Sequence, residues 1–248
     1  GGELHFSIGY TEPGAGTDLA ALTTSAVKQG DHYLVNGNKV YTSGAEGADY
    51  VWLAARTNPD VPKHKGISIL VMDTKDLGFS FGPIHTMAGV RTIVTYYTDV
   101  KVPADMIIGE ENGGWRLITE QLNHERVGLA AWGIQGWKIF RAALEWARNT
   151  KNADGQRVID DPLTQRNLAE VYAHLEAMRV MNARMSWQLD QQKMDPVFPS
   201  AIKVYSTEIM LEICRILMDV VGPHALIAAG SEGAVLHGDL EHEYRRAT

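Results

Sequence analysis

Tyr33-Leu34-Val35-Asn36-Gly37-Asn38-Lys39-Val40-Tyr41 decides how the first half of this chain is read. Aromatic and β-branched residues flank an Asn-Gly pair, the dipeptide that best supplies the positive φ angles of a two-residue hairpin turn. The stretch predicts two antiparallel strands joined at Asn36-Gly37. Working outward, further strands are expected over 50–56, 66–72, 78–82 and 92–98, broken by Pro59, Pro62, Gly66, Gly78 and Pro83. Short strands with frequent turns and no helices between them imply an antiparallel β-barrel or sandwich.

Near residue 110 the chain changes character. From Trp115 the apolar residues recur at helical spacing, and one long helix is expected from about 113 to 149. A second opens at Asp161-Pro162, an N-cap followed by an N1 proline, and carries Leu168, Val171, Tyr172, Leu175 and Met178 as an apolar stripe. A third occupies 198–220 and ends near Gly222-Pro223. The chain therefore reads as an α+β multidomain protein: a β domain over 1–110, then an α-helical bundle domain over 111–248. Gly128, Gly133 and Gly136 fall within the first helix, where each costs about 1 kcal/mol relative to alanine, so close packing against another helix is the expected reason.

The 248 residues carry 45% hydrophobic and 21% charged side chains, a globular composition long enough for one large or two ordinary cores. A net charge of -7 with no basic block argues against nucleic acid as a partner. No apolar run reaches the length of a membrane span, and the N-terminal residues lack the pattern of a signal peptide. The lone Cys214 allows no internal disulfide and fits a reducing compartment such as the cytoplasm. Its setting, Leu211–Ile216, reads as a helix interior, where the thiol is a small buried hydrophobe rather than a nucleophile.

Two stretches could carry chemistry. In Tyr10-Thr11-Glu12-Pro13-Gly14-Ala15-Gly16-Thr17-Asp18, the two glycines demand a sharply turning loop. Such a loop aims backbone N–H groups outward, and Thr11 and Thr17 add hydroxyls on either side, a surface suited to a polar planar or anionic ligand. The same residues would also serve as a plain polar turn. In the helical half, Ile118, Leu122, Glu125 and Leu129 share one face, so Glu125 is a carboxylate within an apolar stripe. Desolvation there would raise its pKa and make it a proton acceptor near neutrality. An ion pair with a basic group on another helix is the competing explanation. Arg126 is an awkward partner, since adjacent helix residues diverge by about 100°.

Other patterns fail. Gly14-x-Gly16 lacks the third glycine of a dinucleotide fingerprint, no Walker-type Gly-Lys-Ser/Thr occurs, and no Gly-x-Ser-x-Gly elbow is present. His237, Asp239, Glu241, His242 and Glu243 match no metal-ligand spacing and read as a solvated polar segment.

Taken in order, four blocks resemble the acyl-CoA dehydrogenase family. They are Thr11–Asp18; Asn36–Gly44; Asp99-Val100-Lys101-Val102-Pro103 running on to Gly109 and Gly113-Gly114-Trp115; and Leu122-Asn123-His124-Glu125-Arg126. The resemblance covers essentially the whole chain. It implies a flavoenzyme that desaturates acyl-CoA thioesters, with FAD as cofactor, an electron-transfer flavoprotein as acceptor, and a homo- or hetero-tetrameric assembly without metal. It also implies that an N-terminal helical domain, and the terminal helix with the loop before it, lie outside this sequence.

The resemblance carries over residue by residue. Tyr10 and Thr11 are expected at the flavin's pyrimidine edge, with Gly16 and Thr17 where flavin meets the acyl-CoA. Tyr41 and Ser43 stand where the family places a tryptophan that stacks on the isoalloxazine and a threonine that hydrogen-bonds its reactive nitrogen. Glu125 resembles the catalytic base of the minority of members that carry it in the long helix, as a Glu-Arg pair. Asn123 and Arg126 resemble contacts to the CoA portion, and Arg148 and Thr150 resemble residues that reach the flavin pyrophosphate of a neighbouring subunit. Lys151-Asn152 replaces the usual Phe-Gly, and Gly222-Pro223-His224 alters a glycine-rich stretch. Both departures are similar to actinobacterial members that form two-gene heterotetramers, some acting on steroid side chains. A non-catalytic partner subunit, an acyl-CoA oxidase and a nucleic-acid-binding relative of the fold are the competing functions.

Overall fold

The computed structural model of the chain describes residues 2–128, 132–191, 193, 195 and 197–248, the side chains at 124, 126–128 and 132 excepted. It divides into two compact units, Gly1–Gln121 and Leu122–Thr248.

The first unit is built on one eight-stranded sheet. Its strands are β1 (Phe6–Gly9), β2 (Ser25–Gln29), β3 (His32–Lys39), β4 (Tyr50–Arg56), β5 (Ile67–Asp73), β6 (Phe79–His85), β7 (Arg91–Pro103) and β8 (Ile107–Ile108). The order is β6-β7-β3-β2-β4-β5-β8, with β1 alongside β4. Most pairs are antiparallel, as expected, but β4 runs parallel to both β1 and β2. Buried side chains from successive strands, among them Tyr33, Val35, Val51, Leu53, Leu70 and Val100, form its core. Each such residue removed from water contributes about 1.5–3 kcal/mol.

The hairpin expected at Asn36-Gly37 is not there. β3 runs straight through both residues, and the turn that feeds it lies at Gly30-Asp31, where Gln29 faces His32 across the β2–β3 pair. Asn36-Gly37 instead marks a bulge: the register of β3 against β7 shifts between Val35 and Gly37. Two contacts explain it. The Asn36 amide donates to Asp99 Oδ1 and its carbonyl accepts from Asp99 N, so the side chain is spent on β7. Gly37, at φ +147°, lies so close to Thr24 that a Cβ would meet the Thr24 Cα at 2.7 Å. The glycine answers a close backbone approach rather than a turn.

Helix α1 (Gly114–Gly128) begins in the first unit and crosses the boundary between the two; α2 (Trp132–Asn149) follows. Together they occupy the span predicted as one helix, but residues 129–131, Leu129 of the apolar stripe included, lie outside the described residues. In the second unit, α3 (Pro162–Asp190) starts as its sequence requires. The Asp161 carboxylate caps it by accepting from Thr164 N at 2.7 Å. Leu168, Val171, Leu175 and Met178 are buried, whereas Tyr172 is half exposed with its ring edge-on to Trp137. α4 (Phe198–Val221) closes at Gly222, and α5 (Asp239–Ala247) packs against it. Gly136 has the expected packing role: a Cβ there would stand 2.7 Å from Leu175 Cδ2 and 3.4 Å from Met210 Sδ. Cys214 is fully buried on α4 and its thiol is pushed up to about 12 by burial, so it is inert at neutral pH.

Candidate functional site

Residues 10–18 and 36–44 meet in the first unit. Glu12-Pro13-Gly14-Ala15 closes as a tight turn, with the Glu12 and Ala15 backbones exchanging two hydrogen bonds of 3.1 Å. The next segment is tied to it: Val40 N donates to Thr11 O at 2.8 Å. Thr11 is half buried and Gly14, Gly16 and Thr17 are exposed, with open space where a Cβ on Gly14 or Gly16 would stand. Tyr41 follows β3 at φ +60° and is 63% exposed, while Ser43 Oγ lies 2.8 Å from Thr92 Oγ1. An exposed aromatic side chain, hydroxyls and open glycine backbone therefore belong to two segments that one backbone hydrogen bond ties together.

Beneath these segments lies a buried ion pair. Lys39 is fully buried, and its ammonium donates to Glu12 Oε1 at 2.8 Å and to Tyr10 O at 3.0 Å. Glu12, itself buried, also accepts from Thr24 N at Oε1, and from Thr23 N and Thr23 Oγ1 at Oε2. Burial would raise the Glu12 carboxyl, but Lys39 and these donors override it and hold it at about 2. Burial brings the Lys39 ammonium down to about 8 against the pull of Glu12. Tyr10 is anchored at its other end too. Its hydroxyl accepts from Trp52 Nε1 at 2.9 Å and donates to Gln121 Oε1 on α1.

The sequence reading missed Lys39, Trp52 and Gln121. Strand parity held the signal for the first: Tyr33, Val35 and Lys39 occupy inward positions of β3, so a lysine there needs an internal partner.

The remaining candidates belong to the second unit. Glu125 and Asn123 are exposed on α1, and the side chain of Arg126 lies outside the described residues. The expectation that Glu125 is sunk within an apolar stripe is corrected. Ile118 is buried, Leu122 half buried and Glu125 itself exposed, while Leu129 lies outside the described residues. Arg148 is exposed near the end of α2; Thr150 follows, its N–H on Trp146 O and its carbonyl accepting from Val158 N. In α5, Asp239, Glu241 and Glu243 are engaged by Lys138, Arg245 and Gln135 respectively.

Comparison with known proteins identifies the family. A family model described as acyl-CoA dehydrogenase, middle domain, matches residues 7–101, and one described as acyl-CoA dehydrogenase, C-terminal domain, matches 112–248. The chain belongs to the acyl-CoA dehydrogenase family. It is similar to acyl-CoA dehydrogenase FadE26 of Mycobacterium tuberculosis, at 49% identity over 98% of this chain and 62% of the relative. Among solved structures it resembles the ChsE4-ChsE5 complex of Mycobacterium tuberculosis, with TM-score 0.92, 50% identity and coverage of 98% of this chain and 63% of that one. It also resembles the Tcur3481-Tcur3483 steroid ACAD, with TM-score 0.93, 46% identity and coverage of 98% and 62%. The chain thus spans somewhat less than two thirds of the relatives it matches. The family is one of flavoproteins. Among the described residues, no helix is long and apolar enough to cross a membrane.

Proposed function

We propose that the protein catalyses the FAD-dependent α,β-desaturation of an acyl-CoA thioester. The observation that supports this most is the hydrogen bond from Val40 N to Thr11 O, which joins the backbone leading into the open Gly14–Thr17 loop to the backbone leading to the exposed Tyr41. A planar heteroaromatic ligand with polar edges needs groups of these kinds: a flat apolar face, hydroxyls and accessible backbone donors. The residues present suit a flavin.

On this reading Tyr10 and Thr11 would hold the pyrimidine edge, Tyr41 would lie against the ring, and the Ser43 hydroxyl would bond its edge. Gly16 and Thr17 would lie where flavin and acyl-CoA meet, and Asn123 and Arg126 would contact the CoA portion. Arg148 and Thr150 would reach the pyrophosphate of FAD in a neighbouring subunit. A bound FAD would supply the hydride acceptor for the β-hydrogen. Glu125 takes the α-proton, which the thioester acidifies, and hydrogen bonds to the thioester oxygen stabilise the developing enolate. Its exposure on α1 leaves the carboxylate open to a ligand. Glu125→Gln is expected to keep the yellow flavin yet lose at least ~10²-fold in substrate-driven flavin reduction, followed by stopped-flow absorbance. Near-normal reduction in that variant removes Glu125 from the mechanism.

Within the fatty-acyl or steroid side-chain class, the neighbour named a steroid ACAD supports a steroid side-chain thioester, and the solved relative named as the ChsE4-ChsE5 complex supports a heteromeric assembly. An electron-transfer flavoprotein serves as acceptor in this reading; peroxide formation with oxygen uptake during turnover would mark an acyl-CoA oxidase instead. The altered Lys151-Asn152 and Gly222-Pro223-His224 favour a second reading, a subunit that supports an active homologue. That subunit would bind flavin only weakly by itself, and activity would require mixing with the homologue.

A further inference from the structure

Thr11 sits between two residues that are both locked from inside the sheet. On one side, the Tyr10 carbonyl accepts from Lys39 and its hydroxyl is held by Trp52 and Gln121. On the other, the Glu12 carboxylate accepts from Lys39, Thr23 and Thr24. One ammonium therefore grips the chain immediately before and immediately after Thr11. That ammonium belongs to the last residue of β3, and the next residue, Val40, donates to Thr11 O. Tyr41 follows directly. The two segments that display Thr11 and Tyr41 are thus joined through a single buried side chain.

We propose that Lys39 is the positioning residue of the flavin surface, fixing Thr11 and Tyr41 at a set separation by clamping Tyr10 O and Glu12 together. The inference rests on the flavin reading above. It is argued from what the pair costs. Taking a lysine and a glutamate wholly out of water is unfavourable, and an apolar pair of similar volume often holds a fold as well or better. What an apolar pair lacks is direction. The ammonium's donors converge on two acceptors that bracket one residue, and the carboxylate in turn gathers three further donors from Thr23 and Thr24. Five segments, at residues 10–12, 23–24, 39–40, 52 and 121, then share one hydrogen-bonded network. Neither Lys39 nor Glu12 is placed to touch a ligand, since both are buried. Their effect reaches a bound ring only through Thr11 and Tyr41.

The test uses the full-length chain, assembled with its partner subunit where one is required, and FAD itself as the probe. The double variant Lys39→Met/Glu12→Gln removes both charges together and leaves no orphaned ion. Its apoprotein is expected to melt within a few degrees of the wild type, while FAD binds about 10- to 100-fold more weakly by flavin fluorescence. The visible bands of bound flavin are expected to shift, a readout that a purely structural pair would not move. Unchanged affinity and spectrum overturn the proposal, as does a loss of affinity matched by an equal loss of apoprotein stability. Should the double variant fail to fold, Glu12→Asp carries the test: both charges remain and the carboxylate retreats by one methylene, so FAD affinity should still fall. A wild-type protein that takes up no FAD overturns the flavin reading itself, an outcome distinct from either failure above.

Discussion

Glu12 keeps its negative charge in a place where burial alone would favour the neutral acid, because Lys39 and three donors from Thr23 and Thr24 act on the ionised form. The consequence for stability has a definite sign. The folded carboxyl, at about 2, lies below its ordinary 4.5, so the unfolded chain binds the proton first as pH falls. The pair's contribution is fully present above that ordinary value and drains away as pH drops toward 2. Arg56, a further positive group in the field of both partners, does not reverse this direction. In urea titrations at stepped pH, wild-type protein should lose stability across this window more steeply than Glu12→Gln. Parallel slopes would assign the acid sensitivity to other carboxylates. At neutral pH, Lys39→Met alone should cost about 3–5 kcal/mol, since it strands the Glu12 charge in the interior.

Among the elements, β3 is where the sequence misleads and where the fold shows why. Asn-Gly is the strongest short hairpin signal, yet here Gly30-Asp31 makes the turn and Gly37 serves a bulge pressed against Thr24. Because Thr24 Cα and Cβ belong to a buried residue whose backbone is fixed beside Glu12, they cannot yield to a new methyl group. Gly37→Ala should therefore destabilise the protein by about 2–4 kcal/mol, combining steric overlap with an unfavourable positive φ, as read by chemical denaturation. A neutral result would mean that β3 can slide away from Thr24. Other elements were legible for local reasons. The Asp161 cap and the Leu168–Met178 spacing announce α3, and short, mostly apolar runs bounded by turn residues announce β4 and β5. β2 was not, because Ser25-Ala26-Val27-Lys28-Gln29 exposes most of its length and offers no apolar rhythm. At the site, the loops bearing Thr11 and Tyr41 could be found by resemblance, whereas Lys39 could not, since a charged side chain is by default read as solvated. Glu125 shows the opposite error: four-residue spacing puts it on a shared face with Ile118 and Leu122, but spacing says nothing of whether that face is covered.

At the scale of the whole molecule, the candidate cofactor residues divide between two units. Tyr10, Thr11, Gly16, Thr17, Tyr41 and Ser43 belong to the first, and Arg148 and Thr150 to the second. On the proposed reading the second set serves the FAD of a neighbouring subunit, so retention of the cofactor becomes a property of the assembly. Two consequences follow. Dilution below the point where subunits separate should release FAD even from wild-type protein, because binding and assembly are linked by mass action. Arg148→Gln removes a guanidinium, and a hydrogen bond to a charged group is worth about 1.5–3 kcal/mol, so FAD retention should weaken roughly 10- to 100-fold. The fold should be untouched, since Arg148 is exposed at the end of α2 and its neighbour Ala147 supplies the buried contact. Flavin fluorescence recorded against protein concentration checks both effects. If Arg148 acts across a subunit boundary, mixing Arg148→Gln chains with Tyr41→Ala chains should restore tight FAD binding at a fraction of the sites, because some interfaces then pair an intact Arg148 with an intact Tyr41. No recovery on mixing, with weakened binding in each variant alone, would instead confine every flavin contact to a single chain.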